Sequence, residues 1–375
     1  MAESPVRVLT AVPLCDGHDS AITAINLELI RKGIEVVYLG FHRSVADIVR
    51  AAIQEDVAAV GISSYNGGHI EFFREVAQAL REKGRPEIIL FGGGGGTITP
   101  SDASRMQKEG TDRIFLPGST FDEMTAYIHS RFTRTVEAPP SEASPGDLLE
   151  LARRISCLEE GVDPGLPPPP RGRVPVLGVT GPGGAGKTTL IDELARQYLE
   201  RFPQHRIGIL SHDPSTLQAG ALLGDRATMV YAQDDRVFLR SMATRGRQGG
   251  LSPATEPALA WMSSDAVGFD LVIVETVGIG QEALPFPDGM VDLRLLVMNT
   301  DYGARLQLQK ILMLEAADIV VANKHDRPGS ATAVAEIRQH LDAFAPGKPL
   351  VPTVASHHAD PGIARLLELL PASRP

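Results

Sequence analysis

Residues 181–188 read Gly-Pro-Gly-Gly-Ala-Gly-Lys-Thr, a full G-x-x-x-x-G-K-[ST] spacing. That spacing commits the surrounding chain to strand–loop–helix. The glycines curl the backbone around an anion while the following helix turns its positive end toward it. The flanks agree: Val176-Leu-Gly-Val-Thr180 reads as a buried strand, and Leu190 to Leu199 as an amphipathic helix. Gly181, Gly183, Gly184, Ala185 and Gly186 form the loop, and Thr189 stands at the helix start. Lys187 would reach the β- and γ-phosphates, and Thr188 would ligate Mg²⁺. Residues 1–180 precede or enter this motif, which leaves room for a separate domain.

A length of 375 residues suggests two domains or three, and a hydrophobic fraction of 43% suffices for their cores. A net charge of −10 argues against a nucleic-acid face, which needs clustered Lys and Arg. No apolar run approaches the roughly 20 residues that span a bilayer. The start, Met-Ala-Glu-Ser-Pro, lacks the basic and apolar regions of a secretory signal. Cys15 and Cys157 imply no disulfide framework. The expectation is a cytoplasmic protein with no membrane or nucleic-acid partner.

Strand and helix alternate through the first segment. Strands are expected at Val6–Val12, Glu35–Leu39, Val57–Ile62, Glu87–Phe91 and Arg113–Phe115, with helices between and after them. Such alternation favours a parallel sheet with ligands at the carboxyl ends of its strands. Residues 134–173 are rich in Pro, Ser and Glu and include Pro167-Pro-Pro-Pro170, so they read as a linker with a short helix over Gly146–Ile155. Domains are therefore expected at 1–133 and 174–375. The second has strands near 176–180, 206–210, 271–275, 293–298, 318–322 and 350–353.

Four features follow the phosphate loop in the order a GTPase requires. Asp213 ends a strand where a carboxylate can reach Mg²⁺, and Asp225 is a second candidate near the metal. Leu271-Val-Ile-Val-Glu-Thr-Val-Gly278 places Glu275 beside the metal and Gly278 near the γ-phosphate. Asn323-Lys324-His325-Asp326 is N-K-x-D, in which Asp326 accepts both N–H groups of guanine while Asn323 and Lys324 brace the base pocket. Adenine lacks that donor pair. The stretch Arg240-Ser-Met-Ala-Thr-Arg245 reads either as a solvated helix end or as a switch segment. Gln281 is either a water-positioning residue or an ordinary loop residue.

G-P-G-G-A-G-K-T, D-P-S, G-D-R, R-S-M-A-T-R, E-T-V-G-I-G-Q and N-K-x-D together resemble the MeaB/ArgK family of SIMIBI-class P-loop GTPases. Those proteins chaperone adenosylcobalamin-dependent acyl-CoA mutases. The resemblance covers roughly residues 174–330. It implies Mg²⁺-dependent GTP hydrolysis to GDP that gates cofactor loading and repair, with Lys187, Thr188, Asp213, Asp225 and Glu275 on phosphate and metal.

The first strand ends in Leu14-Cys-Asp-Gly-His-Asp-Ser-Ala21. An Asp two residues before a His can orient the imidazole of a metal ligand. The third expected strand ends in Ser63-Ser-Tyr-Asn-Gly-Gly-His69 and the fourth in Gly92 to Gly96. Small residues at adjacent strand ends leave a slot, and a bulky ligand near the backbone is the expected reason for the glycine run. This set is similar to the cobalamin-binding domain of the methylmalonyl-CoA mutase family, with motif D-x-H-x-x-G, S-x-L and G-G, and to its isobutyryl-CoA mutase branch. Ala21 stands where the motif has glycine, and Tyr65 where it has leucine. The resemblance implies a flavodoxin-like Rossmann domain binding cobalamin with its lower base displaced. His18 would ligate cobalt, Asp16 would orient it, and the tail would lie beside Ser63, Tyr65, Gly92, Gly93 and Gly94.

The two domains in this order resemble the N-terminal part of fused isobutyryl-CoA mutases. A substrate barrel needs about 250 residues. The expectation is thus a cobalamin-carrying small subunit joined to its GTPase chaperone, with the barrel subunit supplied in trans. An adenosyltransferase is a further implied partner, and homo-oligomerisation stays open. The rival readings are a cobalamin carrier or sensor and a methyl-transfer corrinoid protein.

Overall fold

The computed structural model describes residues 5–14, 20–65, 67–131, 147–165, 174–215, 220–278, 286–299 and 311–371. In chain order the elements begin with β1 (Arg7–Ala11), α1 (Ser20–Arg31), β2 (Glu35–Tyr38), α2 (Val45–Gln54), β3 (Ala59–Ser63) and α3 (His69–Glu82). They continue with β4 (Ile89–Gly93), α4 (Pro100–Lys108), β5 (Arg113–Phe115), α5 (Phe121–Arg131), α6 (Leu148–Glu160), β6 (Val176–Thr180), α7 (Lys187–Arg201) and β7 (Ile207–Asp213). Next come β8 (Leu222–Leu223), α8 (Asp225–Thr228), β9 (Val237–Ala243), α9 (Thr255–Met262), β10 (Leu271–Glu275) and β11 (Leu293–Asn299). The last are α10 (Ile311–Ala316), β12 (Ile319–Asn323), α11 (Ser330–Phe344), β13 (Leu350–Pro352) and α12 (Pro361–Leu369). Among the described residues no helix is long and apolar enough to cross a membrane.

The chain divides into two compact units. One holds residues 1–166 with 213–228, the other residues 167–212 with 229–375. In the first unit the sheet order is β5-β4-β3-β1-β2-β8, with its registered pairs parallel. Without β8 this is the doubly wound order 2-1-3-4-5, whose switch point lies between β1 and β3. Every residue of β1 and β3 is buried, as continuous apolar runs require when helices cover both faces. Val8, Leu29, Val36, Phe91, Phe115 and Ile128 form the core under α1 and α5. Ser44 and Thr99 close capping boxes with Asp47 and Asp102, fixing where α2 and α4 start.

The structure differs from the sequence reading in three places here. β4 runs to Gly93, so two glycines of the run lie inside the strand rather than after it. The helix of the expected linker is α6, which packs on α2 and belongs to the first unit. Residues 213–228, flanked in the chain by strands of the second sheet, contribute β8 and α8 to the first unit. Val36 N donates to Ala221 O at 2.8 Å and Gly220 N to Ile30 O at 3.0 Å.

Buried charges fasten these pieces. Arg7 Nη2 lies 2.9 Å from Glu35 Oε2 and 2.9 Å from Glu159 Oε1 of α6. Arg7 Nη1 is 3.6 Å from Glu55 Oε2, and the other oxygen of Glu55 accepts from Arg226 Nε at 3.0 Å. Arg226 Nη2 donates to Gln54 Oε1 at 3.0 Å. Burial works against the Arg7 charge, but Glu159, Glu35 and Glu55 outweigh it and hold the guanidinium above its ordinary range.

The second unit has the order β13-β12-β11-β6-β10-β7-β9. Its registered pairs are parallel. Leu190, Leu194, Ile209, Ile273, Val297 and Leu366 belong to one core cluster beneath α7 and α12. The stretch around Arg240 is not a solvated helix end. It is strand β9, buried throughout, with Arg240 itself fully buried. Glu193 of α7 ties the approach to α12, accepting from Ala359 N at 2.9 Å, Gln197 Nε2 at 2.9 Å and Arg196 Nη2 at 2.7 Å. Burial raises the Glu193 carboxyl, yet the bonds from Arg196, Gln197, His358 and Ala359 outweigh it and hold it at about 2.

Two stability outcomes follow. Glu55→Gln should cost the first unit about 3–5 kcal/mol in denaturant unfolding, because it leaves the buried Arg226 uncompensated. A loss under 1 kcal/mol would remove the cluster's structural role. Glu193 has a depressed folded pKa, so its contribution is full above its unfolded value near 4.5 and fades as pH falls toward 2. On the order of 3 kcal/mol is at stake. Glu193→Gln should flatten the stability–pH curve in that window, and an unchanged slope would refute the assignment.

Candidate functional site

Strand β6 delivers the chain to the phosphate loop, and α7 begins at Lys187 directly after Gly186. Gly181 and Ala185 are buried, while Gly183, Gly184 and Thr189 are exposed. Gly186 is left-handed, with φ +88, and a Cβ there would lie 2.5 Å from Asn323 Nδ2. Only glycine admits both the turn and that neighbour. Lys187 is buried, and its Nζ donates to Gly181 O at 3.2 Å and Pro182 O at 3.4 Å, so its charge is held inside the loop's curve.

Beside the loop, Thr188 Oγ1 donates to Glu275 Oε1 at 2.8 Å and Ser211 Oγ to Glu275 Oε2 at 3.3 Å. His212 fixes the strand end below, with Nδ1 2.8 Å from Glu275 O and Nε2 2.8 Å from Thr255 Oγ1. Gly278 approaches so closely that a Cβ would lie 2.6 Å from Gly183 Cα. The structure thus joins Lys187, Thr188, Glu275 and Gly278. A carboxylate with hydroxyls on it is an all-oxygen set suited to Mg²⁺, which takes one or two protein ligands and completes its shell from phosphate and water. Among the described residues no group of three His, Cys, Asp or Glu forms a metal cluster. Asp213 ends β7, where Oδ2 accepts from Gly224 N at 3.2 Å, and Asp225 opens α8; both lie in the segment grouped with the first unit. Gln281 lies outside the described residues.

Asn323 ends β12 and faces the phosphate loop. Its Nδ2 donates to Ala185 O at 2.9 Å, and its Oδ1 accepts from Thr353 Oγ1 at 3.1 Å and Ala355 N at 3.1 Å. Lys324 Nζ donates to Gly184 O at 2.6 Å. Both residues of the expected base brace therefore hold the phosphate loop, while Asp326 is exposed next to them. Thr353 and Ala355 were not foreseen. Their only signal is a small, hydroxyl-bearing run directly after the last short strand.

In the first unit a cavity of ≈ 200 Å³ opens at the carboxyl ends of β1, β3 and β4. Ala21, Ser63, Tyr65, Gly92, Gly93 and Gly94 all line it. The strands stand in register there, Ser63 beside Gly93 beside Phe115, and one row deeper Thr10 beside Gly61 beside Phe91. The glycine run has a cause other than the ligand approach expected of it. A Cβ on Gly92 would lie 2.3 Å from Ile62 O, and one on Gly94 2.1 Å from Ser64 O, so the neighbouring backbone already demands glycine. Tyr65 lies so close to Gly95 that a Cβ there would fall 2.0 Å from Tyr65 Cε1. Asp16 and His18 lie outside the described residues.

A doubly wound domain with a slot at its switch point, joined to a phosphate-loop domain carrying N-K-x-D, defines a P-loop nucleotide-binding protein with a second α/β ligand-binding domain. The family model for methylmalonyl Co-A mutase-associated GTPase MeaB matches residues 168–368, and that for the B12 binding domain matches residues 6–124. The chain belongs to the MeaB family. It is 39% identical over 398 residues to a fused isobutyryl-CoA mutase of Geobacillus kaustophilus, covering 97% of this chain and 36% of that protein. It is 40% identical over 387 residues to one of Cupriavidus metallidurans, covering 97% of this chain and 35% of that protein. A putative GTPase of Pyrococcus horikoshii is 42% identical over 176 residues, 46% of this chain and 54% of its own length. The chain thus spans about a third of the length of the fused mutases it matches.

Asn323 makes its bonds to both the segment after β13 and the phosphate loop through one amide. Asn323→Ala should weaken guanine-nucleotide binding about 10- to 100-fold, since it removes several buried hydrogen bonds at once. Titration with a fluorescent GDP checks this, and an affinity within twofold of wild type would show that the clamp does not position the loop.

Proposed function

We propose that this chain binds adenosylcobalamin in its first unit and hydrolyses GTP in its second, gating the loading and repair of that cofactor for an acyl-CoA mutase. The substrate barrel would be carried by a partner subunit. The observation that carries this reading is the co-occurrence on one chain of a glycine-walled slot and a phosphate loop clamped by N-K-x-D, in the domain order of the fused mutases. When bound, adenosylcobalamin supplies the radical chemistry of carbon-skeleton rearrangement. His18 would ligate its cobalt, Asp16 would orient that imidazole, and the nucleotide tail would enter the slot.

At the GTP site, Lys187 stabilises charge on the β- and γ-phosphates, with the helix N-terminus behind it. Thr188 would ligate Mg²⁺, and Glu275, Asp213 and Asp225 are the carboxylates that would help to hold it. Asp326 accepts the two N–H groups of guanine, which adenine cannot offer. Gly278 senses the γ-phosphate through its backbone, since it already touches Gly183.

The purified chain should hydrolyse GTP with Mg²⁺ ~100-fold or more faster than ATP, and Lys187→Ala should cut that rate by about as much. Equal rates for the two nucleotides, or for variant and wild type, overturn the GTPase assignment. Added cobalamin should give a base-off, histidine-ligated absorption spectrum that His18→Ala abolishes.

A further inference from the structure

β7 ends in Ser211-His212-Asp213, and an imidazole is an unexpected side chain in a parallel strand buried on both faces. Burying its two nitrogens is costly unless each finds a partner, and an aliphatic residue would form the strand as well. Both nitrogens are used. Nδ1 lies 2.8 Å from Glu275 O, an atom that only accepts, so Nδ1 carries a proton. Nε2 lies 2.8 Å from Thr255 Oγ1, which is also 2.7 Å from Ser252 O. His212, Thr255 and Ser252 are all buried. The registered pairing of β10 with β7 ends at Val274 and Leu210, one residue before Glu275. The ring thus reaches main chain one residue past that pairing.

Neighbouring residues of a strand point to opposite faces of its sheet. Ser211 accordingly takes the Glu275 carboxylate from one face, donating to Oε2 at 3.3 Å, while Thr188 Oγ1 donates to Oε1 at 2.8 Å. His212 takes the main chain of the same residue from the other face. Two residues on, Val277 N donates to Gly250 O at 3.1 Å. Gly250, Ser252 and Thr255 belong to one stretch, running from the loop after β9 into the first turn of α9. That stretch therefore holds the exit of β10 at two points, 275 and 277. One attachment would leave the exit free to turn about it. Two do not, and Gly278 follows directly against Gly183.

We propose that His212 is a positioning residue for GTP hydrolysis, holding the Glu275 main chain against α9 so that its carboxylate and Gly278 stay aimed at the phosphate loop. This rests on reading the second unit as a Mg²⁺-dependent GTPase. The phosphate loop and N-K-x-D follow other strands, β6 and β12, so nucleotide affinity does not hang on this brace. Its effect falls on the step in which charge develops around the γ-phosphate.

The test measures steady-state GTP hydrolysis with Mg²⁺, and the affinity for a fluorescent GDP, on the full chain. His212→Leu should lower kcat about 10- to 100-fold, the scale of a small misplacement near reacting atoms. Its GDP affinity should stay within about threefold of wild type, as for an interaction expressed in the transition state. His212→Asn, whose amide nitrogen can stand where Nδ1 does, should recover most of the lost rate. Thr255→Val should lower kcat about 3- to 10-fold by freeing the far side of the ring. Because His212 acts through Glu275, adding His212→Leu to Glu275→Gln should slow that variant by less than about twofold, whereas general damage to the fold would multiply with it. A kcat for His212→Leu within about twofold of wild type, a matching loss of GDP affinity, or multiplying effects would each overturn the inference and leave the GTPase reading standing. If wild type hydrolyses no GTP, that reading fails and the inference falls with it. Should His212→Leu not fold, Thr255→Val, alone and combined with Glu275→Gln, carries the same comparison.

Discussion

The carboxylate of Glu55 is the point on which the first unit turns. Its two oxygens meet Arg7 and Arg226, guanidinium groups from distant parts of the sequence, and both are buried. Arg7 in turn holds Glu35 of β2 and Glu159 of α6. Buried ion pairs add little net stability over an apolar core, because desolvation offsets most of their attraction. What they add is intolerance of alternatives, since any packing that displaces one member leaves another charge buried and unpaired. Here that intolerance acts on two pieces with weak claims of their own, a helix outside the doubly wound core and a segment carrying a two-residue strand.

A single amide has the corresponding role in the second unit. Asn323 offers two donors and an acceptor with two lone pairs, and the structure uses both ends of the group. Its donors go to the phosphate loop and its acceptor to the segment after β13, so three chain segments share one planar group. Asp326 then follows at a fixed offset from the loop. The proposed reading of guanine by Asp326 and the shape of the phosphate cradle would therefore not be independent. Glu275 makes the same kind of connection beside the loop, because Thr188 and Ser211 each donate to one of its two oxygens.

Most strands of both sheets were legible in the sequence because parallel strands buried on both faces must be continuous apolar runs. The phosphate loop and N-K-x-D were legible because few other arrangements of those residues have a use. β9 was hidden by Arg240, a charge in a segment that turns out to be fully buried. β8 was hidden by its length, since Leu222 and Leu223 show no period at all. The linker composition suggested separation, yet its helix carries Leu151, Ala152 and Ile155 as a buried face and lies on α2. The glycine run misled in its cause. Glycines at Gly92 and Gly94 answer to the carbonyls of Ile62 and Ser64, contacts that arise only after β3 and β4 are paired.

β8 shows how so short a strand can hold its register. Shifting it by one residue would exchange Leu223, which is fully buried, with Leu222, which is 43% exposed. Two backbone pairings cannot enforce that choice alone. On one side Gly220 passes Ile34 so closely that a Cβ would lie 2.0 Å from its carbonyl oxygen. On the other side Arg226 is locked to Glu55 and Gln54. Asp213 and Asp225, the proposed magnesium carboxylates, bracket β8 in the chain, and Asp213 accepts from Gly224 directly after it. That stretch has only one register that keeps Leu223 buried.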